Sequence, residues 1–323
     1  MESRQAYPTH AGLPFSLGLD MPFHEGQGGA PVPRWADLRA MAETAEEVGF
    51  DVLWVSDHMG FESDDGEWEG AWEAWTLLSA LAASTTRVHL GNYVLAVPFR
   101  NPAMLAKMAE TLDEISGGRV ILGIGAGWNE PEFRAFDFPF EDRFDRFEDA
   151  LRIITSMLRT GRADHEGRVA RARGAPIQPR GPRPTGPPVM VGAGGPRMLR
   201  LTAELADAWD GGMKLPDDRA RDLMRRVDDV CRAAGRDPAT LSRSLEALVR
   251  TIPADDDTPA DHNELRGSAD ELAATLLRYV PLGIDHLVVT VLPQSAEGVR
   301  SFRPVIDELE RQSSDLAPVS SNR

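Results

Sequence analysis

Short apolar segments rich in β-branched residues alternate along this chain with longer stretches whose apolar residues recur every three or four positions. The first pattern predicts eight strands: FSLGL (15–19), DVLWVS (51–56), VHLGNYVL (88–95), RVILGIG (119–125), PVMVGA (188–193), DAWDGG (207–212), SLEALVR (244–250) and DHLVVTVL (285–292). The second predicts helices such as RWADLRAMAETAEEVG (34–49), AMLAKMAETLDEISG (103–117), RFEDALRIITSMLRTG (146–161) and PRMLRLTAELA (196–206), several closing on Gly as helix C-ends do. Eight strands, each followed by a helix, in 323 residues predict a (β/α)8 barrel of the α/β class. No fixed-period repeat and no Ser/Gly linker divides the chain, so a single domain over 1–323 is expected, with a disordered polar tail at 312–323.

The longest excursion, GRADHEGRVARARGAPIQPRGPRPTGPP (161–188), lies between the fourth helix and the fifth strand and carries six arginines. A short extra hairpin with a proline-rich return is one reading, and a rim segment meeting an anionic ligand is the other.

In a barrel, chemistry collects where strands end and the following loops begin. GRVILGIGAGWNEPEF (118–133) breaks from a strand into glycines at such an end. It is not a dinucleotide fingerprint, because Trp128 stands where G-x-G-x-x-G needs its last glycine. Gly125, Ala126 and Gly127 are expected to form a tight floor for a flat ligand, with Trp128 as an aromatic wall. Asn129 and Glu132 have the spacing of a capping box, with Pro131 in the first turn. A second glycine cluster, Gly192, Ala193, Gly194 and Gly195, precedes a helix opening on Pro196, where free N–H groups favour a phosphate.

Charge and cysteine content narrow the partners. Lys and Arg number 35 against 51 Asp and Glu, and a net charge of −16 repels nucleic acid and anionic lipid. No basic start with an apolar core and no long apolar run occurs, so a cytoplasmic protein without membrane association is expected. The lone Cys231 lies in a predicted helix as a small buried hydrophobe. The seven histidines show no H-E-x-x-H spacing, so no metal is expected. G-x-S-x-G, Walker and S-x-x-K motifs are also lacking, which counts against hydrolase and nucleotidase chemistry.

Three stretches in order, WVSDHM, RNPAMLAKMAETLDEISGGRVILGIGAGWNEPEF and PVMVGAGGPRMLRLTAELADAWD, carry a resemblance to the luciferase-like flavin and deazaflavin superfamily, and more closely to its branch that uses coenzyme F420. The resemblance covers residues 15 to 250. It implies a (β/α)8 barrel, and hydride transfer between F420 and a small organic substrate. Its alternatives are an FMN-dependent monooxygenase using oxygen and a barrel that only binds a ligand. It also implies a homo-oligomer by analogy. Carried over by position, His58 and the preceding Asp57 fall at the reacting edge of the cofactor with Trp128 nearby, and His58 suits proton transfer near neutral pH. Asn92, Tyr93 and Val94 fall at a bulge supporting the ring, with a cis peptide between Tyr93 and Val94. Gly125, Ala126, Gly127 and Asn129 fall beside the ring, and Gly192, Ala193, Gly194 and Gly195 at the phosphate. Sugar-phosphate dehydrogenases of this family carry a catalytic carboxylate at the position of Ala126, so a sugar phosphate is not the expected substrate.

Overall fold

A computed structural model describes residues 5–25, 32–252 and 263–315. Eight parallel strands close a barrel: β1 (Ser16–Asp20), β2 (Val52–Val55), β3 (His89–Asn92), β4 (Val120–Gly125), β5 (Val189–Gly192), β6 (Ala208–Met213), β7 (Ser242–Thr251) and β8 (His286–Leu292). Each pairs with the next, β8 returns to β1, and no edge is left open. All eight predicted strands are present. Their near-continuous apolar runs follow from burial on both faces, as parallel sheets require.

The helices pack outside the strands. α1 (Trp35–Val48) buries Leu38, Met41, Ala42, Ala45 and Val48, a stripe at helical spacing, and ends on Gly49 in the left-handed region at φ 113°. α2 (Ala74–Ser84) is capped by the Glu73 carboxylate, and α3 (Pro102–Ser116) by the Asn101 side chain accepting from Met104 N–H. α4 (Glu130–Ala135) and α5 (Arg143–Thr160) follow β4. α6 (Pro196–Leu205) follows β5, and α7 (Asp218–Ala233) follows β6 and buries Cys231. α8 (Ala269–Leu277) precedes β8, and α9 (Ala296–Ser301) and α10 (Arg303–Asp315) follow it.

Three expectations change and one open reading is decided. The third strand stops at Asn92 rather than Leu95, because the backbone bulges through a cis Tyr93–Val94 peptide before Leu95–Ala96 rejoins β4. The excursion forms an antiparallel hairpin, Arg162–Glu166 against Arg171–Pro176. Five of its six arginines, Arg162, Arg168, Arg171, Arg180 and Arg183, each face a carboxylate, so most of its basic charge is neutralised within the protein. The loop after β2 carries a small hairpin not foreseen, Gly60–Glu62 against Trp68–Gly70. Gln312 to Asp315, expected in a disordered tail, belong instead to α10, with the Gln312 amide donating to the Asp270 carbonyl at 3.2 Å, and 316–323 lie outside the described residues. No helix among the described residues is long and apolar enough to cross a membrane.

Candidate active site

Strand ends β2 to β5 surround a cavity of about 410 Å³ at the C-terminal mouth of the barrel, within the size range of small-molecule sites. His58, Tyr93, Val94, the 125–129 loop and Gly192 to Gly195 all line it. The two glycine loops, far apart in sequence, therefore meet in one site, brought together by the pairing of β4 with β5.

His58 follows β2, and its imidazole is packed by aromatic rings: Phe61 at 4.6 Å, Trp128 edge-on at 5.4 Å and Phe23 at 5.9 Å between centroids. Trp128 itself stands at the rim, 67% exposed. His58 Nδ1 lies 2.7 Å from Glu132 Oε1. Glu132 also accepts from the Met59 N–H at 2.5 Å and from the Asn129 amide at 2.5 Å, and its side chain is buried at 1% exposure. A carboxylate facing Nδ1 places the ring proton there and leaves Nε2, which has no protein partner among the described residues, for a ligand.

Glu132 is the residue that sequence reasoning missed. The spacing of Asn129 and Glu132 suggested a capping box, but Asn129 makes no side-chain cap and instead donates to Glu132 and to the Gly60 carbonyl at 3.2 Å. A Glu beside buried Phe133 on a six-residue helix was the available signal for an inward-facing carboxylate.

Asp57 takes a different part from the one expected. Its carboxylate binds the Arg100 guanidinium two-pronged at 2.6 and 2.8 Å and accepts the Ala96 N–H at 2.9 Å, a structural ion pair that fixes the strand-three bulge. Asp57 still lines the cavity, whereas Asn92 does not reach it, because its side chain is fully buried behind the bulge. Tyr93 is anchored from both ends, its carbonyl accepting from Ser56 Oγ at 2.9 Å and its hydroxyl donating to Asp210 at 2.8 Å.

Gly123 and Gly125, inside β4, and Gly127 beyond it make room for protein, while Gly125 and Gly127 also line the cavity. A Cβ on Gly123 would stand 1.9 Å from the Asn92 carbonyl, and one on Gly125 would stand 2.7 Å from Val94 Cγ2. Gly127, at φ 77°, lies against the Phe133 ring. The bulge thus seats on β4, and Val94 projects to the cavity between Gly125 and Gly192. Gly194 and Gly195 differ: nothing lies within 4 Å of a Cβ at either, so this loop is open to a ligand.

The other half of the mouth holds an acidic group that no local motif announces. Asp20 at the end of β1, Asp210 on β6 and Glu246 on β7 come from widely separated strands. The Thr290 hydroxyl on β8 lies 3.2 Å from Asp20 and 3.1 Å from Glu246. Asp210 also accepts from Ser244 at 2.8 Å and from Gly212 N–H at 2.9 Å. Burial and then repulsion by Asp210 push the Glu246 carboxyl up to about 7; burial and then repulsion by Glu246 raise that of Asp20, and burial raises that of Asp210. Among the described residues no group of three or more His, Cys, Asp or Glu side chains is placed to hold a metal ion.

Fold and cavity together define a closed (β/α)8 barrel with a ligand site at its C-terminal mouth. Residues 17–286 match the model of the luciferase-like monooxygenase family, and the chain belongs to that family. It is 33% identical over 221 residues to an F420-dependent glucose-6-phosphate dehydrogenase of Amycolatopsis mediterranei, covering 65% of this chain and 63% of that protein. It is 32% identical over 177 residues to a 5,10-methylenetetrahydromethanopterin reductase of Archaeoglobus fulgidus, covering 55% of this chain and 49% of that protein. These alignments thus span less than two thirds of either relative's own length. Two solved structures share the fold. An F420-dependent secondary alcohol dehydrogenase in complex with an F420–acetone adduct superposes with a TM-score of 0.76 at 20% identity, covering 91% of this chain and 99% of that one. A monooxygenase from Streptomyces bottropensis gives 0.77 at 20% identity, covering 92% and 99%.

Proposed function

We propose that this protein is an oxidoreductase that moves a hydride between coenzyme F420 and a small organic substrate. The observation that carries the reading is the His58–Glu132 pair in the wall of a cavity whose other parts suit that coenzyme. Val94 and the Gly125 to Trp128 loop offer a surface for a flat ring, and the open Gly194–Gly195 loop offers backbone N–H groups to a phosphate. The sequence relatives named for F420 support this coenzyme over FMN.

When bound, coenzyme F420 supplies a ring carbon that gives or takes two electrons as a hydride. The protein's own contribution is position and one proton. Glu132 holds the imidazole of His58 in one orientation and one tautomer, so that Nε2 accepts a proton from a substrate hydroxyl during oxidation or returns it during reduction. Asp57 and Arg100 act at one remove, holding the bulge that presents Val94.

The substrate side of the mouth argues for an uncharged molecule such as an alcohol or carbonyl compound. Ala126 puts a methyl group on the cavity wall where a carboxylate would stand in a sugar-phosphate dehydrogenase. The test is a pair of titrations, of F420 and of FMN, into the purified protein: preference for F420 is the expected result, and preference for FMN overturns the reading.

A further inference from the structure

Arg143, the first residue of α5, is among the described residues the sole Arg or Lys lining the cavity. Its guanidinium lies over two rings, 3.9 Å from the Phe140 centroid and 4.4 Å from that of Phe144. One Nη donates to the Phe140 carbonyl at 3.3 Å, while Nε is buried without a hydrogen-bond partner. Among the described residues no carboxylate pairs with it. Neighbouring Arg197, on α6, shows the contrast: Asp145 at 2.6 Å and Glu148 at 2.9 Å neutralise it. Arg143 instead keeps its charge for whatever enters the cavity, held by ring faces that favour a planar cation without consuming it. Gly194 and Gly195 line the same cavity.

We propose that Arg143 pairs with the anionic arm of the bound cofactor, a phosphate or carboxylate group, and so lets this acidic protein hold a polyanionic ligand. The assignment rests on the F420 reading above and adds to it the residue that recognises the part of the molecule beyond the ring. A guanidinium fork matches either anion two-pronged, so the chemistry is shared by the phosphodiester of F420 and the carboxylates of its glutamyl tail.

The test compares three probes of one ring system by fluorescence titration: the riboflavin-level deazaflavin without phosphate, its 5′-phosphate, and F420. The proteins are wild type, Arg143→Gln and Arg143→Lys, each checked by a melting curve because the guanidinium packs on Phe140 and Phe144. Wild type is expected to bind F420 at least tenfold tighter than the phosphate-free ring, and raised salt should narrow the gap. Arg143→Gln should lower F420 affinity at least tenfold and leave the phosphate-free ring within about twofold, with Arg143→Lys between. An equal loss for the 5′-phosphate assigns the contact to the phosphate, and a loss confined to F420 assigns it to the tail. Unchanged F420 affinity in a folded Arg143→Gln protein, or an equal loss for all three probes, overturns the assignment alone. Failure of wild type to bind any of the three overturns the F420 reading and this one with it.

Discussion

The two ring nitrogens of His58 have different surroundings, and the local chain shows why. Ser56-Asp57-His58 leaves β2 at the barrel mouth, Asp57 turns to Arg100, and His58 turns to the cavity with Glu132 behind it. If Nε2 carries the proton that accompanies hydride transfer, His58→Ala should keep the F420 dissociation constant within a few fold while turnover falls by roughly 100-fold to 10,000-fold. Glu132→Gln should keep affinity as well, with turnover down by roughly tenfold or more, since an amide cannot accept from Met59, Asn129 and His58 together. A cofactor titration beside a single-turnover assay, on a substrate found by screening alcohols for loss of deazaflavin absorbance, checks both. Equal losses of binding and turnover would reduce His58 to a packing residue. His58 was legible as a histidine at a strand end, but Glu132 was not. A one-dimensional pattern gives the spacing of a capping box and says nothing about whether the carboxylate turns to its own helix or across to another strand.

At the scale of elements, the two glycine loops look alike in sequence and serve different ends. β4 accepts the strand-three bulge at Gly123 and Gly125, whereas the loop before α6 faces open space at Gly194. Gly123→Ala should therefore cost stability, about 1–3 kcal/mol or more by overpacking against a backbone carbonyl, read as a lower midpoint of denaturant unfolding. Gly194→Asp should leave that midpoint in place and weaken F420 binding at least tenfold, because it sets a carboxylate against the phosphate. The reverse pattern would exchange the two assignments. The strands themselves were legible because burial on both faces makes them apolar throughout, as in VILGIG of β4. The break of the third strand at Asn92 was not evident from that pattern, since Tyr93, Val94 and Leu95 carry the apolar run on past it, and only the family resemblance indicated it.

Across the whole molecule, barrel closure brings together what the chain keeps apart. Asp20, Asp210 and Glu246 lie on β1, β6 and β7 and meet inside the mouth, so no local motif could have revealed the cluster. The cluster makes stability depend on pH. Glu246, facing Asp20, Asp210, Thr290 and Lys214, titrates at about 7 in the folded protein against an ordinary 4.5. Below about pH 4.5 it is protonated folded and unfolded alike. As the pH rises the unfolded chain ionises first, so stability falls until about pH 7 and then levels off, a loss on the order of 3 kcal/mol. Glu246→Gln should thus raise the unfolding free energy at pH 8 and change it little at pH 4.5, a contrast that denaturant melts at the two values resolve. A gain of equal size at both would show that the carboxyl is not desolvated.

The same closure brings His58, Val94 and the two glycine loops around one cavity, proposed above to hold a deazaflavin. Parallel titrations of the purified protein with F420 and FMN measure that most directly, with no need to know the substrate. A dissociation constant for F420 in the micromolar range or below, at least tenfold tighter than for FMN, is the expected result. Tight FMN binding with weak F420 binding would contradict it.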